Sequence, residues 1–231
     1  VSLDAKDHLA EKTATLMQRL HQIADSHKDA RFASSLAVED MVITDVIARE
    51  QLNIGVFTLD TGLLHQETLD LLDNLAKTYP YLHIARFHPI APDAARYVAE
   101  NGKFAFYESI ELRRECCHIR KIEPLNRALQ GADAWLTGQR REQSATRTEL
   151  PFAEQDKARG IDKYNPIFDW SETDVWAYIL ANNVPYNALY HQGFPSIGCD
   201  PCTRQVKQGE DIRAGRWWWE SKDSKECGLH K

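Results

Sequence analysis

Along the N-terminal half of the chain, helical periodicity alternates with short unbroken apolar runs. From Asp4 to Lys28, the residues Leu9, Leu16, Met17, Leu20, Ile23 and Ala24 recur near the spacing of one helix face. Arg31-Phe32-Ala33 then reads as a strand ending in the small-residue loop Ser34-Ser35. Glu39 to Glu50 reads as a helix with Val42, Ile43, Val46 and Ile47 on one face. Asn53 to Leu59 reads as a second strand, rich in Ile, Val and Phe. Asp60-Thr61-Gly62 stops it. Leu64, Leu71, Leu72 and Leu75 mark the next helix, and Leu82 to Phe87 a third strand. The pattern predicts a helix from Tyr107 to Leu129, with Pro124 as a kink or boundary, because proline lacks the N–H a helix interior needs. Ala134 to Thr137 is a short strand ending at Gly138. Ser171 is placed to cap a further helix, with Asp174 three residues on. After Pro185 the periodicity fades into loop and short helix.

Strands alternating with helices argue for an α/β fold, a parallel sheet flanked by helices with right-handed crossovers. We expect a single domain over residues 1–231, with a loop-rich C-terminal segment from about 205 to 231. Open parallel sheets bind ligands outside the carboxyl ends of their strands. Three small-residue loops fall at such ends: Ser34-Ser35-Leu36, Asp60-Thr61-Gly62 and Thr137-Gly138. Each alone is ordinary turn chemistry, but together they point to a nucleotide cleft.

Composition narrows the class. The 231 residues are 43% hydrophobic and 27% charged, which is globular. The apolar runs fall far short of the roughly 18 residues that span a bilayer. No signal-peptide pattern opens at Val1-Ser2-Leu3-Asp4, so no membrane partner is expected. A net charge of −6 argues against nucleic acid as a partner. Positive charge is nevertheless concentrated locally. One group is Arg113, Arg114, His118, Arg120 and Lys121; another is Arg140, Arg141 and Arg147; Arg204, Lys207, Arg213 and Arg216 form the third. The first and third adjoin cysteine pairs and point to a small anion.

The five cysteines are an adjacent pair, Cys116-Cys117, a C-x-x-C, Cys199 to Cys202, and Cys227 near the end. An odd count without an export signal argues against disulfides and for a reducing cytoplasm. Four thiolates can saturate a zinc or an iron–sulfur site. Adjacent helical residues diverge by about 100°, which strains a single tetrahedral zinc more than a bulkier cluster. The turn after Gly198 can offer amides to sulfur. Cys227, the fifth, is left free to react.

The ordered set Ser34-Ser35-Leu36-Ala37-Val38-Glu39-Asp40, Leu59-Asp60-Thr61-Gly62, Cys116-Cys117-x-x-x-Lys121 and Thr137-Gly138-Gln139-Arg140-Arg141 continues with Cys199-x-x-Cys202. It ends with Arg213-Ala214-Gly215-Arg216 and the tail Glu226-Cys227-Gly228-Leu229-His230. This set resembles the assimilatory adenylyl-sulfate (APS) reductases of the phosphoadenylyl-sulfate (PAPS) reductase family, over almost the whole chain. The resemblance implies an adenine-nucleotide α-hydrolase-like fold of PP-loop type. It implies one 4Fe–4S cluster on Cys116, Cys117, Cys199 and Cys202, with no flavin or nicotinamide. Cys227 is then the nucleophile that takes the sulfuryl group from APS. Lys121, Arg213, Arg216 and His230 match the phosphosulfate contacts, and Leu59, Asp60 and Gly138 the adenine and ribose contacts. Ser34, Ser35, Leu36 and Thr61 complete the loops, and Arg140 and Arg147 would face the nucleotide. No second cysteine lies near Cys227 in sequence, so counting requires an external reductant, which the family supplies as thioredoxin or a glutaredoxin-like protein. Glu39-Asp40 also looks like the APS type. In one departure, many relatives carry glycine near Ala37 or Val38, and this chain does not. The alternatives are a PAPS reductase, an ATP pyrophosphatase of similar fold, and a metal-stapled nucleotide-binding module. The second needs a glycine-rich S-G-G-x-D-S loop, absent from Ser34 to Val38. Homo-oligomerisation stays open.

Overall fold

The computed structural model describes residues 3–143, 148–221, 225, 228 and 229. In chain order the elements are α1 (Leu3–Ser26), β1 (Ala30–Ala33), α2 (Val38–Arg49), β2 (Ile54–Leu59), α3 (Gln66–Thr78) and β3 (Ile84–Phe87). They continue with α4 (Ala91–Asn101), α5 (Ile110–Cys117), α6 (Glu123–Ala128), β4 (Ala134–Leu136), β5 (Ala153–Asp156), β6 (Ile161–Tyr164) and α7 (Glu172–Ala181). The six strands form one sheet in the order β3-β2-β1-β4-β6-β5. β1 runs parallel to β2, with Ala30 opposite Ile54, and parallel to β4, with Ala30 opposite Ala134. β4 is parallel to β6, and β5 pairs antiparallel with β6 at the edge. The predicted parallel α/β sheet is therefore present, with an antiparallel edge.

The hairpin of β5 and β6 was not legible in the pattern. Its strands, Ala-Glu-Gln-Asp and Ile-Asp-Lys-Tyr, carry too little apolar content for a strand signal. α4 was missed for a similar reason: Tyr97 is its only fully buried side chain. The helix predicted over Tyr107–Leu129 is corrected. A 3₁₀ turn at Ala105–Tyr107 precedes α5, and Ser109 accepts from Leu112 N–H to cap α5. A π turn at His118–Ile122 follows, and α6 starts with Pro124 in its first turn. Ile122 and Glu123 keep helical backbone angles, so Pro124 follows the π turn inside one run of helical backbone, where the altered hydrogen bonding accommodates its missing N–H.

The chain divides into two compact units. The first comprises Val1–Phe57, Leu71–Ala85 and Gly131–Tyr186; the second Thr58–Asp70, Arg86–Gln130 and Asn187–Lys231. The core of the first joins Leu16, Leu20 and Ile23 of α1 to Met41, Ile43 and Val46 of α2, with Phe32, Trp135, Ile167 and Trp170. β4 is buried at every position, as expected of a parallel strand covered on both faces. Asp45 of α2 is fully buried, and its carboxylate accepts from Tyr79 Oη at 2.6 Å, Tyr178 Oη at 2.7 Å and Arg49 Nε at 2.8 Å. Three donors replace the water that burial removes. α7 starts in a full capping box, Ser171 accepting from Asp174 N–H and Asp174 from Ser171 N–H.

The core of the second unit is a cluster of Tyr97, Ala105, Phe106, Cys116, Cys199, Cys202 and Trp217. Thiols thus occupy positions that aliphatic side chains would normally fill.

Candidate functional site

In the first unit, two strand-end turns meet at one carboxylate. Ser34, just past β1, is buried and donates its N–H to Phe57 O at 2.8 Å. Its Oγ accepts from Leu36 N–H at 3.3 Å. Leu36 sits at φ 63°, the left-handed region that glycine favours. The glycine-like position of this loop is therefore Leu36; Ala37 has an ordinary extended conformation as the residue before α2. Asp40, in the first turn of α2, is buried and accepts at Oδ2 from Ser35 N–H at 2.6 Å and Ser35 Oγ at 2.5 Å. Its other oxygen lies against Gly138, so closely that a Cβ there would overlap it. Burial raises the Asp40 pKa to about 7, the Ser35 hydrogen bonds oppose the rise and the Glu39 charge adds to it.

Arg140, predicted to face the nucleotide, is held by protein groups. Its side chain is buried, with Nη2 on Glu39 Oε1 at 2.8 Å and Nη1 on Glu142 Oε2 at 3.2 Å and on Trp170 O at 3.3 Å. Gln143 Nε2 donates to the same Glu39 oxygen. Glu39 thus orients Arg140, while Nε of Arg140 is buried without a partner among the described residues. Arg147 lies outside the described residues.

In the second unit, Cys116 and Cys117 end α5 and Cys199 and Cys202 bracket a 3₁₀ turn. All four are buried and line one narrow cleft with Leu63, Phe106, Arg113, Arg120, Lys121 and Trp217. About 320 Å³ there is free of protein atoms, part of it open to solvent. Burial, then the neighbouring Cys117 thiolate, pushes the Cys116 thiol up to about 11. Burial and Cys199 likewise raise Cys202, which Lys121 opposes. These thiols stay protonated at neutral pH unless a metal takes the protons' place.

The cleft fits a thiolate-bound group by its donors. Trp217 Nε1 is a buried donor with no hydrogen-bond partner among the described residues, and its ring packs in the cysteine cluster. Thr61 Oγ1 lies 3.3 Å from Cys199 Sγ. Arg120 donates to Thr61 O at 2.7 Å and also hydrogen-bonds Cys116. Among the described residues, no three His, Cys, Asp or Glu side chains converge as a single ion would require.

The remaining predicted contacts of this unit fall on turns. Leu59 ends β2. Asp60 accepts from Gly62 N–H at 3.0 Å and stands 3.6 Å from His88 Nδ1. Arg213 and Arg216 lie on a turn closed by Arg216 N–H to Arg213 O at 3.0 Å. Gly215 explains the turn, because a Cβ there would run into Arg204 O. Arg213 Nη2 donates to Lys225 O at 3.1 Å, and Arg216 lies 4.7 Å over the Trp217 ring with Nη1 on Ile197 O. Cys227 and His230 lie outside the described residues.

Arg113, one of the cations grouped beside the first cysteine pair, is buried on Glu220 through two 2.8 Å bonds and also hydrogen-bonds Cys117. Sequence reasoning missed Glu220 and Trp217, which had no periodic signal. The hint was the Trp217-Trp218-Trp219 run after Arg216.

A mostly parallel sheet of this order, with loops at its strand ends, defines an α/β protein of the adenine-nucleotide α-hydrolase-like type. The phosphoadenosine phosphosulfate reductase domain model matches residues 30–205, and the chain belongs to that family. It is 78% identical over 223 residues to an adenosine 5′-phosphosulfate reductase of Neisseria meningitidis serogroup A, covering 96% of this chain and 91% of that protein. It is 59% identical over 222 residues to the enzyme of that name from Burkholderia cepacia, covering 96% and 88%. The crystal structure of phosphoadenylyl-sulfate reductase from Candida auris, in a phosphate complex, matches with TM-score 0.71 at 26% identity, covering 89% and 98%. The protein is thus an oxidoreductase of sulfate reduction. Among the described residues, no helix is long and apolar enough to cross a membrane.

Proposed function

We propose that this protein reduces adenosine 5′-phosphosulfate to sulfite and AMP, with thioredoxin or a glutaredoxin-like dithiol as reductant. The observation that carries the reading is the cleft of four buried cysteines lined by Arg113, Arg120 and Lys121, in a chain so close to named APS reductases. The Cys227 thiolate attacks the sulfuryl sulfur, the bond from sulfur to the AMP oxygen breaks, and AMP leaves with that electron pair. Cys227 then carries –SO₃⁻. One thiolate of the dithiol attacks the Cys227 sulfur and sulfite departs. The second thiol closes the partner's disulfide and returns Cys227 as a thiol, so two electrons pass from dithiol to sulfur. Positive charge around the phosphosulfate stabilises the attack of one anion on another. Lys121, Arg213, Arg216 and His230 are assigned that task. Ser34, Ser35, Leu36, Leu59, Asp60, Thr61, Gly138, Arg140 and Arg147 are assigned to the nucleotide.

Cys116, Cys117, Cys199 and Cys202 would hold a 4Fe–4S cluster, which supplies a fixed, thiolate-bound charge centre beside Lys121. Four buried cysteines along one cleft and the orphan Trp217 Nε1 beside them support a thiolate-bound group there. In this reading residues 1–231 act as one reductase domain, with 205–231 as the segment that carries the nucleophile. The enzyme works in the cytoplasm, in sulfate assimilation toward cysteine.

Cys227→Ser should abolish sulfite release while AMP binding and iron content stay at the parent level. Anaerobic preparations should contain iron and acid-labile sulfide, and sulfite should form faster from APS than from PAPS. Faster turnover of PAPS would replace this reading with the sister activity named for the Candida auris structure.

A further inference from the structure

We infer that Asp40 is a positioning residue that sets the Ser34–Leu36 turn and the Gly138 turn against one another, in the form that receives the nucleotide. The inference rests on the nucleotide-binding reading above and adds a residue to it. All the residues concerned belong to the first unit. Asp40 Oδ2 takes both donors of Ser35, the N–H at 2.6 Å and the hydroxyl at 2.5 Å. Those bonds fix the turn immediately before Leu36, whose left-handed conformation a leucine holds only when its surroundings impose it. Asp40 Oδ1 occupies the place a Gly138 side chain would fill, and such a Cβ would also come within 3.0 Å of Asp40 Cγ. Gly138 is therefore glycine because of Asp40, not because of its own backbone angle: it is absent from the positive-φ glycines. Thr44 Oγ1 donates to Asp40 O at 2.7 Å and anchors this turn of α2. Gln139, beside Gly138, donates its N–H to Thr137 Oγ1 at 3.3 Å. One buried carboxylate thus braces two strand ends.

The test compares the parent with Asp40→Ala, Asp40→Asn, Gly138→Ala and the Asp40→Ala/Gly138→Ala pair, all iron-loaded. AMP binding is measured by calorimetry, and KM and kcat are measured with APS. Asp40→Ala should weaken AMP binding and raise KM about tenfold or more while kcat changes less than about threefold, the signature of lost ground-state binding. Asp40→Asn keeps an acceptor for Ser35 and should return to within about threefold of the parent. Gly138→Ala alone should be as damaging as Asp40→Ala, and the pair no worse than either, since the alanine then has room. A merely structural role would lower melting temperature without splitting KM from kcat. The inference is overturned if Asp40→Ala binds AMP like the parent, if kcat falls alone, or if the two substitutions add. Failure of the parent itself to bind AMP would overturn the nucleotide reading and this inference with it; a parent that binds AMP with an indifferent Asp40 overturns the inference alone.

Discussion

Replacing Glu220 by alanine should be among the most damaging substitutions outside the proposed chemistry. The Glu220 side chain is 3% exposed and that of Arg113 0%, and two 2.8 Å hydrogen bonds join them. The guanidinium also stacks 4.9 Å over Trp217 and reaches Cys117. Alanine at 220 takes this carboxylate from a fully buried cation. Breaking such a pair costs about 3–5 kcal/mol. At about 2.1 cal/mol/K per residue, 231 residues have a melting entropy of about 0.5 kcal/mol/K, so the midpoint should fall by about 6–10 °C. Differential scanning calorimetry reads this, at equal iron content, because a bound group raises the midpoint by mass action. If the two units melt separately, the shift belongs to the transition of the unit containing both residues. Arg113→Met combined with Glu220→Leu removes both charges and should recover at least half of the loss. A shift below about 2 °C for Glu220→Ala would refute the reasoning, for a buried pair of this geometry cannot be lost so cheaply.

Two further outcomes follow from the electrostatics and the orphan donor. Burial lifts Asp40 to about 7 from its unfolded 3.8, so its contribution to stability is complete below about pH 4 and is lost as pH rises through 7. Asparagine does not titrate, so the stability difference between parent and Asp40→Asn, followed by urea melts from pH 5 to 8, should move against the parent by about 2–3 kcal/mol; a flat difference would remove the buried-acid argument. Trp217→Phe keeps an aromatic ring of smaller volume and deletes a buried N–H that has no acceptor among the described residues. It should leave the iron-free protein within about 1 kcal/mol of the parent, while the iron-loaded form loses iron faster on chelator challenge. Equal rates of iron loss would show that the indole N–H serves nothing bound in the cleft.

Much of the molecule was legible in the chain alone. Period and apolar content located β1, α2, β2, α3, β3 and β4, because these elements bury one face or both, and burial selects residue type. Ser171 and Asp174 announced the start of α7, since capping is a local bargain between neighbours. The paired cysteines and the small-residue turns after β1 and β4 could be picked out for the same reason: identity and spacing are local. Elements that bury little stayed silent, namely α4 and the β5–β6 hairpin. The break of the long predicted helix into α5, a π turn and α6 was written only in part, by Pro124. What tertiary structure decided were the meetings of residues far apart in the chain. Asp40 against Gly138, Arg113 on Glu220, Thr61 at Cys199 and Trp217 among the thiols carry no periodic signature. They depend on which turns and helices the fold brings within a few ångströms, and no local preference encodes that distance. Sequence alone set out two pairs of cysteines and a fifth near the end; only the fold decided that the four paired ones would line one cleft with Arg113, Arg120 and Lys121.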